Sequence, residues 1–181
     1  SIRTTRMELI KTRAKIKVAG KGLDLLKLKR TSLVLEFFNL ARQMELLKGS
    51  MAKSIERAYE SSRIAEIAAG KIALERIAAE QARLGAGVSA KNVMGVKIPS
   101  ISVSFGALSS IYELVSVPSA IVDAQLSYKK LFDMLIEIAE KENSLRKLLH
   151  EIEKLNRRVN ALENVTLPRL REKARYIKQR L

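Results

Sequence analysis

Few residues in this 181-residue sequence could carry chemistry. There is no Cys, and the one His is His150. Thiol catalysis, disulfides, thiolate zinc sites and histidine-rich metal sites are therefore excluded. His150 stands at an outward heptad position beside Glu151 and Glu153 and reads as a surface histidine rather than a ligand or base. The pairs Glu140/Glu142 and Glu151/Glu153 are two residues apart, which on a helix points them to different faces, so they read as solvated charges. A phosphate-cradling loop needs glycines followed by Lys-Ser/Thr. Gly70-Lys71 comes nearest, but Ile72 follows the lysine and Ala65 stands where the first glycine belongs. No active site, metal or cofactor is expected.

The elements that would have to position any site are mostly helical. Apolar residues make up 47% and charged residues 29%, enough for a core and too apolar for wholesale disorder. Aromatics are only 4%, with three Pro and eight Gly, which argues against a sandwich or barrel of many short strands. The longest uncharged run, Ile98 to Tyr112, is 15 residues with five Ser, too short and too polar to span a membrane. Arg3, Arg6 and Lys11 interrupt every apolar stretch at the amino end, so no signal peptide is read there. The expectation is a soluble, intracellular, helix-rich protein.

Charge is unevenly placed. The net charge is +15, from 34 basic and 19 acidic residues. Residues 1–30 carry +8 and residues 141–181 carry +7, while 31–140 are balanced. If the two ends lie side by side, one pole is strongly basic and attracts an acidic partner.

Along the chain, apolar residues return at helical intervals from Met7 to about Leu84, with no proline. Met7, Ile10, Ala14, Val18, Gly22 and Leu25 read as one stripe, and Phe37, Leu40, Met44, Leu47, Met51, Ile55 and Ala58 as a second. At ~1.5 Å per residue this predicts a rod of roughly 115 Å. The alanine-rich stretch from Ile64 to Ala82 predicts a close-approaching partner helix. Between Gly85 and Ser119, Gly and Pro break the pattern. Val93-Met94-Gly95-Val96-Lys97-Ile98-Pro99 and Ile101 to Phe105 read as strands of a β-hairpin, with Pro99 in the turn between them. Ile111 to Val122 stays open between states.

From Ser119 the helix returns with a clean heptad. Leu131, Ile138, Leu145, Ile152 and Val159 fill one core position, and Met134, Lys141, Leu148, Leu155 and Leu162 the other, Lys141 being the one break. Beyond Leu162 the register drifts through Val165, Leu170, Ala174 and Ile177, and Pro168 bends the helix. The fold expected is mainly α: a long antiparallel two-helix coiled coil of the N- and C-terminal helices (1–84 and 119–181) around a small central β-hairpin region (85–118). Leu145, Leu148, Ile152, Leu155, Val159 and Leu162 are the expected coiled-coil core.

The termini then become specific. Arg6-Met7-Glu8-Leu9, Lys21-Gly22 and Leu25-Leu26-Lys27-Leu28-Lys29-Arg30 resemble the amino-terminal signature of the D-subunit family of V-type and archaeal A-type ATPases. So does Asn156-Arg157-Arg158-Val159-Asn160-Ala161-Leu162-Glu163, with Leu167-Pro168-Arg169 and Tyr176-Ile177 beyond it. Asn92 to Pro99 is similar to that family's hairpin region. Members commonly continue past the Tyr-Ile pair for a further charged stretch, whereas this sequence ends at Leu181.

The resemblance implies a non-catalytic central rotor shaft, one copy per complex, peripheral at the cytoplasmic face of the cell membrane. It implies insertion into a hexamer of catalytic A and B subunits, with the F subunit packed beside the shaft and a membrane-side stalk protein at its base. A single two-helix shaft cannot match a ring of three catalytic sites, so it meets each site differently. On that reading Arg6, Lys11, Arg13, Lys15, Arg157, Arg158 and Arg169 are expected to meet the hexamer. Val93, Met94, Gly95, Val96, Lys97, Ile98 and Pro99 are expected to form a partner-binding or regulatory hairpin, projecting from the shaft or placed at the end opposite the termini. The alternative from the residues alone is a basic coiled-coil arm that binds nucleic acid. Against it, Tyr176 is the one aromatic near the basic ends able to stack on bases.

Overall fold

A computed structural model describes residues 4–79, 84–105 and 118–181. Its elements are α1 (Arg6–Ala69), α2 (Lys71–Ala79), β1 (Leu84–Val93), β2 (Val96–Phe105), α3 (Ser119–Ala161), a π-helical turn (Leu162–Thr166) and α4 (Leu167–Gln179). Two long helical segments and a central antiparallel hairpin are the expected architecture. Thr5 caps α1 by accepting the Glu8 N–H at its hydroxyl, 3.2 Å away. Gly70 interrupts the helix that the sequence pattern runs on to Leu84. Its φ of 79° suits a residue without a side chain, and its carbonyl already accepts the Leu74 N–H that restarts α2. Of the ambiguous stretch, residues 111–117 lie outside the described residues; α3 begins at Ser119 and takes in Ile121 and Val122.

The chain forms two compact units. The first joins residues 1–38 to 148–181. There α1 and the carboxyl-terminal helices run antiparallel, as Arg30 meets Asn156, Lys27 meets Glu163 and Glu8 meets Lys173. Leu23, Val159 and Leu167 pack together, with Ile16, Ala19, Leu26 and Leu162 against them. Leu148, Leu155, Val159 and Ile177 are almost wholly enclosed, and Ile152 is buried.

The face that α1 buries here differs from the predicted stripe. Met7, Ile10, Val18 and Leu25 are 62%, 63%, 71% and 67% exposed. The enclosed face instead follows Thr12, Ile16, Ala19, Leu23, Leu26, Arg30, Leu33 and Phe37. Two of these are polar and one is small, so apolar spacing alone selects the wrong side. Thr12 is buried without penalty because its hydroxyl donates to the Glu8 carbonyl at 2.8 Å. Arg30 reaches out of the seam to the Asn156 side-chain oxygen.

The second unit spans residues 39–147. Leu40, Met44, Leu47, Met51, Ile55 and Ala58 are half-buried or buried along α1. Ala65, Ile121 and Ala124 form a cluster with Ala69, Leu74 and Ala120, in which four of the six side chains are alanine. Ile138 and Leu145 are buried on α3. Lys141, the polar residue in the heptad, is accommodated by its ammonium donating to Gln43 Oε1 at 3.0 Å, with Glu137 at 3.3 Å.

The hairpin also belongs to this unit. Val93 pairs with Val96, so the turn is Met94-Gly95, with φ of 51° and 86°, the left-handed pair of a two-residue hairpin. Asn92 Oδ1 accepts the Gly95 N–H at 2.9 Å and closes it. Pro99 is therefore inside β2, opposite Ala90, and not in the turn, and the two strands expected at 93–99 and 101–105 fall almost wholly within β2, whose partner β1 precedes them in the chain. The missing donor of Pro99 costs nothing to the ladder. The N–H of Ile101, two residues on and facing the same way, turns from β1 to Glu140. Gly85 and Gly87 leave room for the hydroxyls of Ser104 and Ser102, which donate back to the carbonyls of those glycines. A Cβ at either glycine would stand 2.6 or 2.8 Å from the facing oxygen.

Candidate partner-binding surface

Both basic termini fall in the first unit, which holds nineteen Lys and Arg against seven Asp and Glu, a net +12. The second unit nets only +3. The antiparallel seam causes this placement: it brings the two ends of the chain together, and the long cations outside the seam stand in water. Arg6, Lys11, Arg13, Lys15, Arg157, Arg158 and Arg169 are all exposed. Lys27 is only part of this surface, since its ammonium meets Glu163 Oε1 at 2.7 Å. Arg180 stacks over the Tyr176 ring at 5.3 Å.

The field leaves a mark on Glu8. Its carboxyl is held below the usual glutamate range, first by the hydrogen bond from Lys173 and then by that ammonium's charge. Partial burial opposes this, and Lys15 and Lys11 add to it.

The hairpin residues divide by face. Val96 and Ile98 are 9% and 6% exposed, whereas Met94, Gly95 and Lys97 stand in water and Val93 and Pro99 are half-buried. The hairpin is thus packed down on one face, with β1 largely open from Gly85 to Asn92. Sequence reading misses the group that anchors it. Glu140, which reads as a solvated charge, accepts the Ile101 N–H at 3.3 Å on the outer edge of β2. Nothing local in the sequence marks Glu140, because its partner lies 39 positions away.

Among the described residues, no three His, Asp or Glu side chains come together as a metal-binding group, and no helix is long and apolar enough to cross a membrane. Lys71, at the near miss for a phosphate loop, pairs with Glu75 along α2.

Heptad-packed antiparallel helices, a braced hairpin and one strongly basic unit define a coiled-coil protein with a strongly basic surface. Comparison with known proteins narrows this. The family model for the ATP synthase D subunit matches residues 8–181. The D subunits of the A-type ATP synthases of Thermoplasma volcanium and Thermoplasma acidophilum are each 47% identical over 182 residues, covering 99% of this chain and 87% and 85% of theirs. That of Methanopyrus kandleri is 34% identical over 183 residues, covering 99% of this chain and 79% of its own. The chain belongs to the ATP synthase D-subunit family.

Proposed function

We propose that the chain is the non-catalytic central-stalk rotor component of an A-type rotary ATPase. It passes torque between a hexamer of catalytic A and B subunits and the membrane ion-translocating ring. On this reading one copy per complex sits peripherally at the cytoplasmic face of the membrane. The F subunit and a membrane-side stalk protein bind it outside the hexamer. The observation that carries the reading is the gathering of both basic termini in one unit of a family member. Such a unit offers many exposed cations to an acidic or carbonyl-lined socket, where their summed field speeds and orients docking. The hairpin, open along β1, supplies a second contact for a stalk or hexamer surface.

The test is reconstitution. A purified A/B hexamer is assayed with and without the chain, alongside the chain alone. The expected result is no ATP hydrolysis by the chain alone and a changed hydrolysis rate of the hexamer once the chain is bound. Hydrolysis by the chain alone overturns the non-catalytic role. Failure to bind the hexamer, together with tight, salt-sensitive binding to nucleic acid, overturns the rotor reading.

A further inference from the structure

The two helices of the first unit count their buried faces differently. On α1 the seam keeps alternating steps of four and three from Thr12 to Phe37 without a break. On the opposing side the same rhythm holds from Leu148 to Leu162. There it steps five residues to Leu167, then resumes through Leu170, Ala174 and Ile177. The long step coincides with the π turn, Leu162–Thr166, in which the Leu167 N–H donates to the carbonyl of Leu162. The residues at both edges, Ala161 and Leu167, keep ordinary helical dihedrals, so the helix continues through the turn. A π turn takes up one residue more than an α turn. The surplus residue is consumed there, and both flanks stay in phase with α1.

The alternative phase is easily counted. In an unbroken α-helix each residue past Leu162 would sit rotated by about 100°, the angle per residue of 3.6-residue turns. The seam would then fall on Thr166, Arg169, Lys173 and Tyr176, burying a guanidinium and an ammonium in an apolar groove. With the π turn it takes Leu167 and Ile177, which are 5% and 0% exposed. Lys173 swings to Glu8, and Arg169 and Tyr176 stay in water. Pro168 is compatible with this arrangement, since it has no N–H and its ring collides with the carbonyl four residues back in a regular α-helix. Two causes are thus on hand, the proline and the seam.

We infer that the five-residue step in the seam, and not Pro168, holds the π turn, and that the turn is a built-in phase lock. It fixes which face α4 packs against α1 and therefore which of its basic residues are presented outward. The lock works by exclusion, because the only nearby phase puts charges where Leu167 and Ile177 now lie.

The absence of native cysteine makes the test clean. Single cysteines are placed at position 176 or 177 in the full chain, in the parent and in Pro168→Ala, and their reaction with a maleimide is timed. Cysteine at 177 is expected to react roughly tenfold or more slowly than at 176 in both backgrounds, since it reacts only on local opening. Deleting Val165 in the Pro168→Ala background shortens the step to four, and a plain α-helix then keeps the same seam. That variant is expected to show the same protection pattern and to melt no more than about 4 °C below Pro168→Ala, the shift of a small perturbation in a chain of this size. Reversal or levelling of the two reactivities in Pro168→Ala, or its loss of helicity, would show that the proline holds the turn. Loss of protection at 177 in the deletion variant, or a larger fall in melting temperature, would show that the fifth residue is structural in its own right. Either result overturns the inference.

Discussion

The Glu8 carboxylate and the Lys173 ammonium, 165 residues apart in sequence, meet at 2.7 Å. The pair ties the first turns of α1 to α4, and its acid partner titrates below the ordinary glutamate range. A carboxyl whose pKa is lowered by folding stabilises the fold above its unfolded value. The contribution is lost as pH falls through the ordinary range to the folded value. NMR titration should therefore find the Glu8 carboxyl still ionised where an exposed glutamate is half protonated. In Lys173→Met it should move back up towards the ordinary value, because the largest cause of its shift is gone. An unchanged Glu8 titration in that variant would mean that the ion pair does not form in solution.

Some of this is legible in the residues. The heptad from Leu131 to Leu162 is made of Leu, Ile, Val and Met, broken once by Lys141, and a hairpin is signalled by Gly and the alternation of Ser with apolar residues, although its strands are misplaced. The first turns of α1 mislead because the buried face includes Thr12, Ala19 and Arg30 while Met7, Ile10, Val18 and Leu25 lie outside. The usable signal is phase. The steps of three and four through Phe37, Leu40, Met44, Leu47 and Met51, continued backwards, arrive at Leu33, Arg30, Leu26, Leu23, Ala19, Ile16 and Thr12. The drift beyond Leu162 is a single five-residue step, which the nearby Pro168 obscures. Placing Pro99 in the turn fails because the Asn92-to-Gly95 closure outranks proline as a turn former here. The role of Glu140 is tertiary and no local pattern encodes it.

The corrected seam makes a contrast of two leucines decisive. Leu155 is 1% exposed and Leu25 is 67% exposed. Truncating a buried Leu to Ala costs about 2–5 kcal/mol, with the low end expected where the core is only two helices wide. An exposed Leu distant from special features changes stability by no more than about 0.5 kcal/mol. Leu155→Ala should therefore lower the urea midpoint clearly while Leu25→Ala leaves it nearly unchanged. Equal effects from the two substitutions would refute the seam.

Glu140 should matter to the hairpin and little to the helices. A hydrogen bond to a charged acceptor is worth about 1.5–3 kcal/mol. At 3.3 Å, part-buried, this one belongs near the lower figure. In Glu140→Ala, amide exchange at Ile101 should speed up relative to amides of α3, while helicity by circular dichroism stays constant. Glu140→Gln keeps an acceptor oxygen and should fall between the two. Unchanged exchange at Ile101 in the alanine variant would place the anchoring in Val96 and Ile98 burial alone.

The basic unit provides the last expectation, and it separates affinity from fold. Arg157 and Arg158 are exposed, as are Lys11, Arg13 and Lys15, so their reversal to Glu removes little packing. Exposed ion pairs contribute only ~0.2–1 kcal/mol each, and no single contact would dominate docking. Their summed field is another matter: electrostatic steering raises association rates by roughly 10- to 1000-fold at low ionic strength. Arg157→Glu/Arg158→Glu, or the triple reversal of Lys11, Arg13 and Lys15, should slow association with the proposed A/B hexamer while circular dichroism and melting stay close to the parent. The deficit should shrink as salt is added, because the Debye length drops to about 3 Å near 1 M. Stopped-flow association at low and high salt reads this directly. A deficit that persists unchanged at 1 M salt would mean that these residues act by shape or hydrogen bonding at the interface. No deficit at either salt concentration would remove the basic surface from docking altogether.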